Sequence, residues 1–135
     1  MKKKVYVFGN EDVEVDAKTF AYVEKLKNNF EMLEFVKVMP NQDVPFVNEQ
    51  EVAIFDTVLG ISKISIFTEK DIPKLDLSPR TSVHDFDLGF QLKYLLKIGK
   101  LKKITIIGIP MNTYLDYSSI HETFKKFVAQ DMQGS

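Results

Sequence analysis

Several short runs of this chain are apolar with no polar side, which leaves few ways to fold it. The clearest is Glu51-Val52-Ala53-Ile54-Phe55-Asp56-Thr57; Lys4-Val5-Tyr6-Val7-Phe8 and Lys103-Ile104-Thr105-Ile106-Ile107-Gly108-Ile109 have the same character. A strand with one wet face alternates apolar and polar residues, whereas a strand apolar at nearly every position is covered on both faces. Val, Ile and Phe also suit the crowded, pleated surface of a sheet. Such strands belong to parallel sheets sandwiched between helices, and ligands gather beyond their carboxyl ends. Asp56, the carboxylate closing the central run, stands where that rule places chemistry.

Helical patterns fall between the runs. Ala17, Phe20, Val23, Leu26 and Phe30 recur at spacings of three or four, and Asp16 before them suits an N-cap. Leu33 to Met39 alternates and reads as a second strand, broken by the segment from Pro40 to Pro45. Lys63 to Thr68 alternates and suits an antiparallel edge strand. Glu69 to Arg80 holds two prolines and reads as a loop. Ser82-Val83-His84-Asp85 has the form of a capping box; Phe86, Leu88, Phe90, Leu92 and Leu95 then predict a helix with a broad apolar face, stopped at Gly99. The strand from Lys103 ends at Pro110. Ser119-Ile120-His121-Glu122 is a second capping box, leading a helix with Ile120, Phe124, Phe127 and Val128 on one face. His121 is expected at the surface, and Asp131 to Ser135 are expected to fray. The order strand, helix, strand, strand, strand, helix, strand, helix predicts one domain over residues 1–135. Its architecture is a three-layer α/β/α sandwich with a mostly parallel sheet, one antiparallel edge strand and right-handed crossovers.

Composition removes several classes of function. A net charge of −1, with no long run of one sign, argues against nucleic-acid or acidic-membrane binding. The absence of cysteine excludes disulfides, thiolate metal sites and a cysteine nucleophile, and fits a cytoplasmic protein. The first residues lack the apolar core of a signal peptide, and no window is long enough for a membrane-spanning helix. Gly9-Asn10 follows the first strand, but no further glycine precedes the helix, so neither a dinucleotide fingerprint nor a P-loop is present.

Asp16, Asp56 and His84 form the one constellation that suggests a site. Each is predicted at a strand end or a helix start, and in a parallel α/β sheet those places share one edge. Two carboxylates and an imidazole make an O,O,N set suited to a divalent transition metal. Two neighbouring carboxylates repel, and a dication relieves that repulsion. The start of a helix disfavours imidazolium and so favours the neutral, ligating His84. Each residue also has a plainer reading: Asp16 as a helix cap, Asp56 as an acceptor of backbone N–H groups, His84 as a structural histidine. Asp85 and Asp87 read as capping and solvated residues.

At these residues the chain resembles the nickel-iron hydrogenase maturation endopeptidases, from about Lys4 to Val128. Phe8-Gly9-Asn10 resembles that family's first strand end, and Asp16 stands in the position of its metal-binding acid. Ile54-Phe55-Asp56-Thr57, Ser82-Val83-His84-Asp85, Ile106-Ile107-Gly108-Ile109-Pro110 and Tyr117-Ser118-Ser119-Ile120 are similar to its later landmarks, in the same order. The resemblance implies a metal-dependent, aspartic-type endopeptidase that removes a C-terminal extension from a hydrogenase large-subunit precursor. It also implies that nickel arrives with the precursor, and that Asp16, Asp56 and His84 are both its ligands and the catalytic residues. Gly9 and Asn10 would position the substrate peptide.

Three positions depart from the family pattern. Its acidic pair is reduced to Val15-Asp16, Thr19 stands where a glycine is expected, and Met39-Pro40-Asn41-Gln42 replaces an Asp-Gly-Gly-Thr turn. A non-cleaving binding or chaperone module for a metalloenzyme precursor is therefore the alternative, and a flavodoxin-like small-ligand domain a more distant one.

Overall fold

The computed structural model describes residues 2–8, 18–38, 45–46, 48–74, 88–111, 113 and 115–133. Five strands form one sheet: β1 (Lys3–Phe8), β2 (Leu33–Val38), β3 (Glu51–Val58), β4 (Ser65–Thr68) and β5 (Lys103–Pro110). Their order across the sheet is β2-β1-β3-β5-β4. β1 pairs in parallel with β2 and β3, β3 pairs in parallel with β5, and β4 closes the edge antiparallel to β5. The helices are α1 (Lys18–Asn29), α2 (Leu88–Lys97) and α3 (Tyr117–Gln133).

The predicted α/β architecture is what forms, and the doubly apolar runs explain why. On one face of the sheet, Val5, Val7, Ala53, Phe55, Ile107 and Ile109 pack with Phe20, Val23 and Leu26 of α1 and Ile120, Phe124 and Phe127 of α3. On the other, Tyr6, Phe8, Ile54, Ile104 and Ile106 pack with Leu88, Leu92 and Leu95 of α2, and with Phe46 and Ile72. Successive strand residues alternate between the two cores. Phe124 holds the first core together, with Phe30, Phe35, Phe55 and Phe127 rings at centroid distances of 6.0, 5.7, 5.2 and 6.4 Å.

Helix ends follow local chemistry. α2 stops at Gly99, whose φ of +79° is one that glycine adopts without strain. There the Gly99 N–H donates to Leu96 O at 3.1 Å and the Lys100 N–H to Leu95 O at 3.0 Å, the paired bonds of a Schellman stop. α3 starts differently from the expected Ser119 box. Asp116 is its cap, accepting the Ser119 N–H at 3.2 Å and the Ser119 hydroxyl at 3.0 Å. A charged acceptor three residues upstream gives a stronger bond than the serine itself offers to the next turn.

Other expectations are corrected by tertiary contacts. Phe90 is not on the buried face: it is 63% exposed, because it lies two residues, roughly 200° of helix rotation, from Leu88. Glu69–Lys74 is not loop but a 3-10 helix, fixed by two carboxylates. Asp71 Oδ2 accepts the Thr68 N–H at 2.8 Å, and Glu69 Oε1 accepts the Ile104 N–H at 3.0 Å. Residues 131–133 remain helical, and Lys3 Nζ donates to Asp131 Oδ1 at 2.6 Å, tying the end of α3 to the start of β1. His121 is half-buried rather than a surface residue, its ring 5.1 Å from that of Phe30 and 5.9 Å from that of Tyr117. The Ser82 box lies outside the described residues.

Candidate functional site

Strand order fixes where a site can form. β1 connects to β2 on one side while β3 lies on its other side, so the order reverses between β1 and β3. The crevice beyond the carboxyl ends of strands flanking such a switch point is where ligands bind in open α/β sheets. Register places Tyr6 beside Ile54 and Val7 beside Phe55, which carries Phe8, the last residue of β1, to the level of Asp56. α1 begins at Lys18 after β1, at this same edge. α2 ends just before β5 begins, so it runs back along the sheet and its first residue, Leu88, points to this edge as well.

Asp56 is only 1% exposed. Its Oδ1 accepts the Thr57 N–H at 2.8 Å, which ties the carboxylate to the backbone at the end of the central strand. Residues 52 and 54 belong to the core under α2, so alternation puts the Asp56 side chain on the α2 face. A carboxylate this deeply buried is costly unless it is compensated by bonds or charge. Across the register Asp56 faces Gly108 of β5. A Cβ at Gly108 would lie 2.6 Å from Val58 Cγ2 and 3.1 Å from Phe67 Cε2, so glycine is what lets β3 and β5 close up beside the acid.

Two threonines missing from the predicted site flank it. Thr19 is fully buried and its Oγ1 donates to Phe8 O at 2.7 Å, fastening the first turn of α1 to the end of β1. This is the residue standing where the resembled family has glycine, and the hydrogen bond is its local role. Its signal was present: Thr19, Val23, Leu26 and Phe30 share the spacing of the buried stripe. Thr57 is 1% exposed, and its hydroxyl has no hydrogen-bond partner among the described residues. Its side chain faces the α1 and α3 layer, opposite to Asp56.

Of the predicted site residues, Asp56 is placed at the switch point. Asp16, His84, Gly9 and Asn10 lie outside the described residues. Among the described residues, no three His, Cys, Asp or Glu side chains gather where they would hold a metal ion, and no helix is long and apolar enough to cross a membrane.

The family model of the HycI hydrogenase maturation proteases matches residues 20–133. No curated protein matches the chain. Among solved structures, the hydrogenase 2 maturation peptidase from Thaumarchaeota archaeon SCGC_AB-539-E09 is similar, with a TM-score of 0.55 and 17% identity, over 96% of this chain and 97% of that one. At that identity the likeness carries the fold, and the family match carries the rest: this chain belongs to the hydrogenase maturation protease family.

Proposed function

We propose that the chain is a metal-dependent, aspartic-type endopeptidase that removes a C-terminal extension from a nickel-iron hydrogenase large-subunit precursor in the cytoplasm. Nickel is cargo of the precursor in this reading. The observation that carries it is Asp56: a deeply buried carboxylate at the end of the central strand, beside the switch point, in a chain of this family.

Asp16, Asp56 and His84 are the proposed nickel ligands. Their O,O,N donor set fits a divalent transition metal, and burial of Asp56 favours a counter-charge over water. Thr57 N–H already holds Asp56 Oδ1, orienting the head group before substrate arrives. An ion held by these residues would supply Lewis-acid polarisation of the scissile carbonyl. A carboxylate of Asp16 or Asp56 not occupied by the ion accepts the proton of the attacking water. Gly9 and Asn10, following β1 in sequence, position the peptide.

Isothermal titration with nickel tests the ligand set. Wild type should bind with a clear stoichiometry, and Asp56→Ala and His84→Ala should lose most of that affinity. Equal, weak binding in all three proteins would remove the trio. Incubation with nickel-loaded precursor then separates cleavage from docking: loss of the extension by mass spectrometry supports the peptidase, and a stable uncut complex supports the non-cleaving module.

A further inference from the structure

β2 is the outermost strand on one side of the sheet, and among the described residues no strand pairs with its far side. One bond fixes which of its main-chain groups face outward. The Lys3 N–H donates to Met32 O at 3.1 Å, and β1 pairs in parallel with β2, Lys3 beside Leu33. In a parallel ladder alternate residues of each strand bond to a given neighbour. Met32, Glu34 and Val36 therefore turn their N–H and C=O groups to β1, while Leu33, Phe35 and Lys37 turn theirs outward. The Leu33 N–H is taken by Phe30 O at 3.0 Å. Leu33 O and the N–H and C=O of Phe35 have no main-chain partner among the described residues. A groove of about 600 Å³ lies against this stretch. It is lined by Leu33, Glu34 and Phe35, by Lys27 and Glu31 at and just beyond the end of α1, and by Lys2.

The groove has the size of a ligand site, but two lysines and two glutamates balance its charge, so it selects neither an anion nor a cation. Leu33 and Phe35 are buried, so the edge offers a partner main chain rather than apolar side chains. An outward N–H and C=O at strand spacing match another extended chain. The edge also leads to the peptidase site. Val38, at the end of β2, lies beside Phe8, which stands level with Asp56. A segment added outside β2 lies three strand spacings, about 14 Å, from β3, and about five extended residues cross that distance. We propose that the outer edge of β2 is an exosite for the precursor polypeptide. An extended segment near the cleaved end adds there as a further strand, pairs with the N–H and C=O of Phe35, and lies in the groove beside α1. The identity of this occupant rests on the peptidase reading; the open edge and the groove stand without it.

The test is a nuclear magnetic resonance titration of the isotope-labelled full chain with a synthetic peptide of the precursor's C-terminal region. Cleavage of the nickel-loaded precursor is scored beside it. Two further peptides carry N-methyl groups on one or the other alternate set of amides, which removes strand donors without changing a side chain. The expected result is shifts centred on residues 33–37 and slower exchange of the Phe35 amide. One methylated peptide should bind about tenfold more weakly or worse, and the other nearly as well as the parent, because a strand on one edge uses only alternate amides. Shifts elsewhere or none, an unchanged Phe35 exchange rate, or equal loss for both methylated peptides would overturn the exosite, and a cleaved precursor would then leave the peptidase reading intact. Shifts at β2 with an uncut precursor would support the edge and remove the peptidase reading. Neither binding nor cleavage would remove both.

Discussion

Gly108 offers the sharpest test of the geometry around Asp56. A methyl group added there would start 2.6 Å from Val58 Cγ2, well inside van der Waals contact, and 3.1 Å from Phe67 Cε2. Val58 is buried and β-branched, so its methyl cannot swing away as the end of a long side chain would. Either χ1 of Val58 leaves its rotamer or β3 and β5 move apart at the pair Asp56–Gly108. Overpacking of this kind costs about 1–3 kcal/mol. For a chain of this length that lowers Tm by about 3–10 °C. Val58→Ala alone removes two buried methyl groups and costs about 1.6 kcal/mol before any cavity is counted. It also removes the clashing atom, so Gly108→Ala should cost markedly less on the Val58→Ala background, with a coupling of about 1–2 kcal/mol. Thermal and urea melts of the four proteins measure this. A strand shift would also move the carboxylate, so under the proposed ligand set nickel affinity of Gly108→Ala should fall and recover in part in the double variant. A single variant melting within about 1 °C of wild type would show that the sheet absorbs the methyl without strain, and an equal loss on both backgrounds would show that Val58 is not what the methyl meets.

Thr19→Ala should destabilise by about 1 kcal/mol by removing the buried 2.7 Å hydrogen bond to Phe8 O, and Thr19→Ser should restore most of that in urea melts. Thr57→Val should hold or raise stability, by up to about 1 kcal/mol, because the hydroxyl it removes has no partner among the described residues. A drop in Tm would reveal a bond made by that hydroxyl. Asp116 has its carboxyl held below the usual range by the Ser119 hydroxyl first, then by the Ser119 N–H and the Ser118 hydroxyl. A depressed folded-state pKa means the capping contribution is present above the unfolded value and is lost as pH falls through the folded one. Amide protection factors in the first turn of α3, corrected for the intrinsic exchange rate at each pH, should therefore fall on acidification below about pH 4, and Asp116→Asn should abolish that dependence.

The fold could be read from the sequence where burial and propensity agree. Residues 52–55 and 106–109 are apolar on both faces, and a parallel sheet covered on both sides accommodates them. The antiparallel β4 was visible as a short alternating run, and as an edge strand it is only half-buried, with Ile66 against one core and Phe67 against the other. What escaped the sequence depends on contacts between distant segments. Phe90 looks like a core residue until the three leucines of α2 claim the inner face. The 3-10 helix at Glu69–Lys74 exists because Glu69 reaches a backbone N–H on β5, thirty-five residues on. The last turns of α3 hold because Asp131 meets Lys3, at the other end of the chain.

A carboxylate closing an apolar strand is unusual enough to be seen in sequence, and strand order alone puts it beside the switch point, since β1 and β3 can only be neighbours if the sheet grows outward in both directions from them. Asp56 therefore needs no family comparison to be singled out. Thr19 and Gly108 could not be found that way, because neither carries a charge and each matters through one contact: a hydroxyl on Phe8 O and the absence of a Cβ beside Val58. Both act on the backbone that flanks Asp56, one at the end of β1 and one on β5. If the acid is the metal ligand proposed, those two positions set where it sits, and substitutions there should change nickel affinity through position while leaving every donor atom in place. Nickel binding unchanged in Thr19→Ala and Gly108→Ala, with both variants destabilised, would separate the scaffold from the site and leave Asp56 a structural carboxylate.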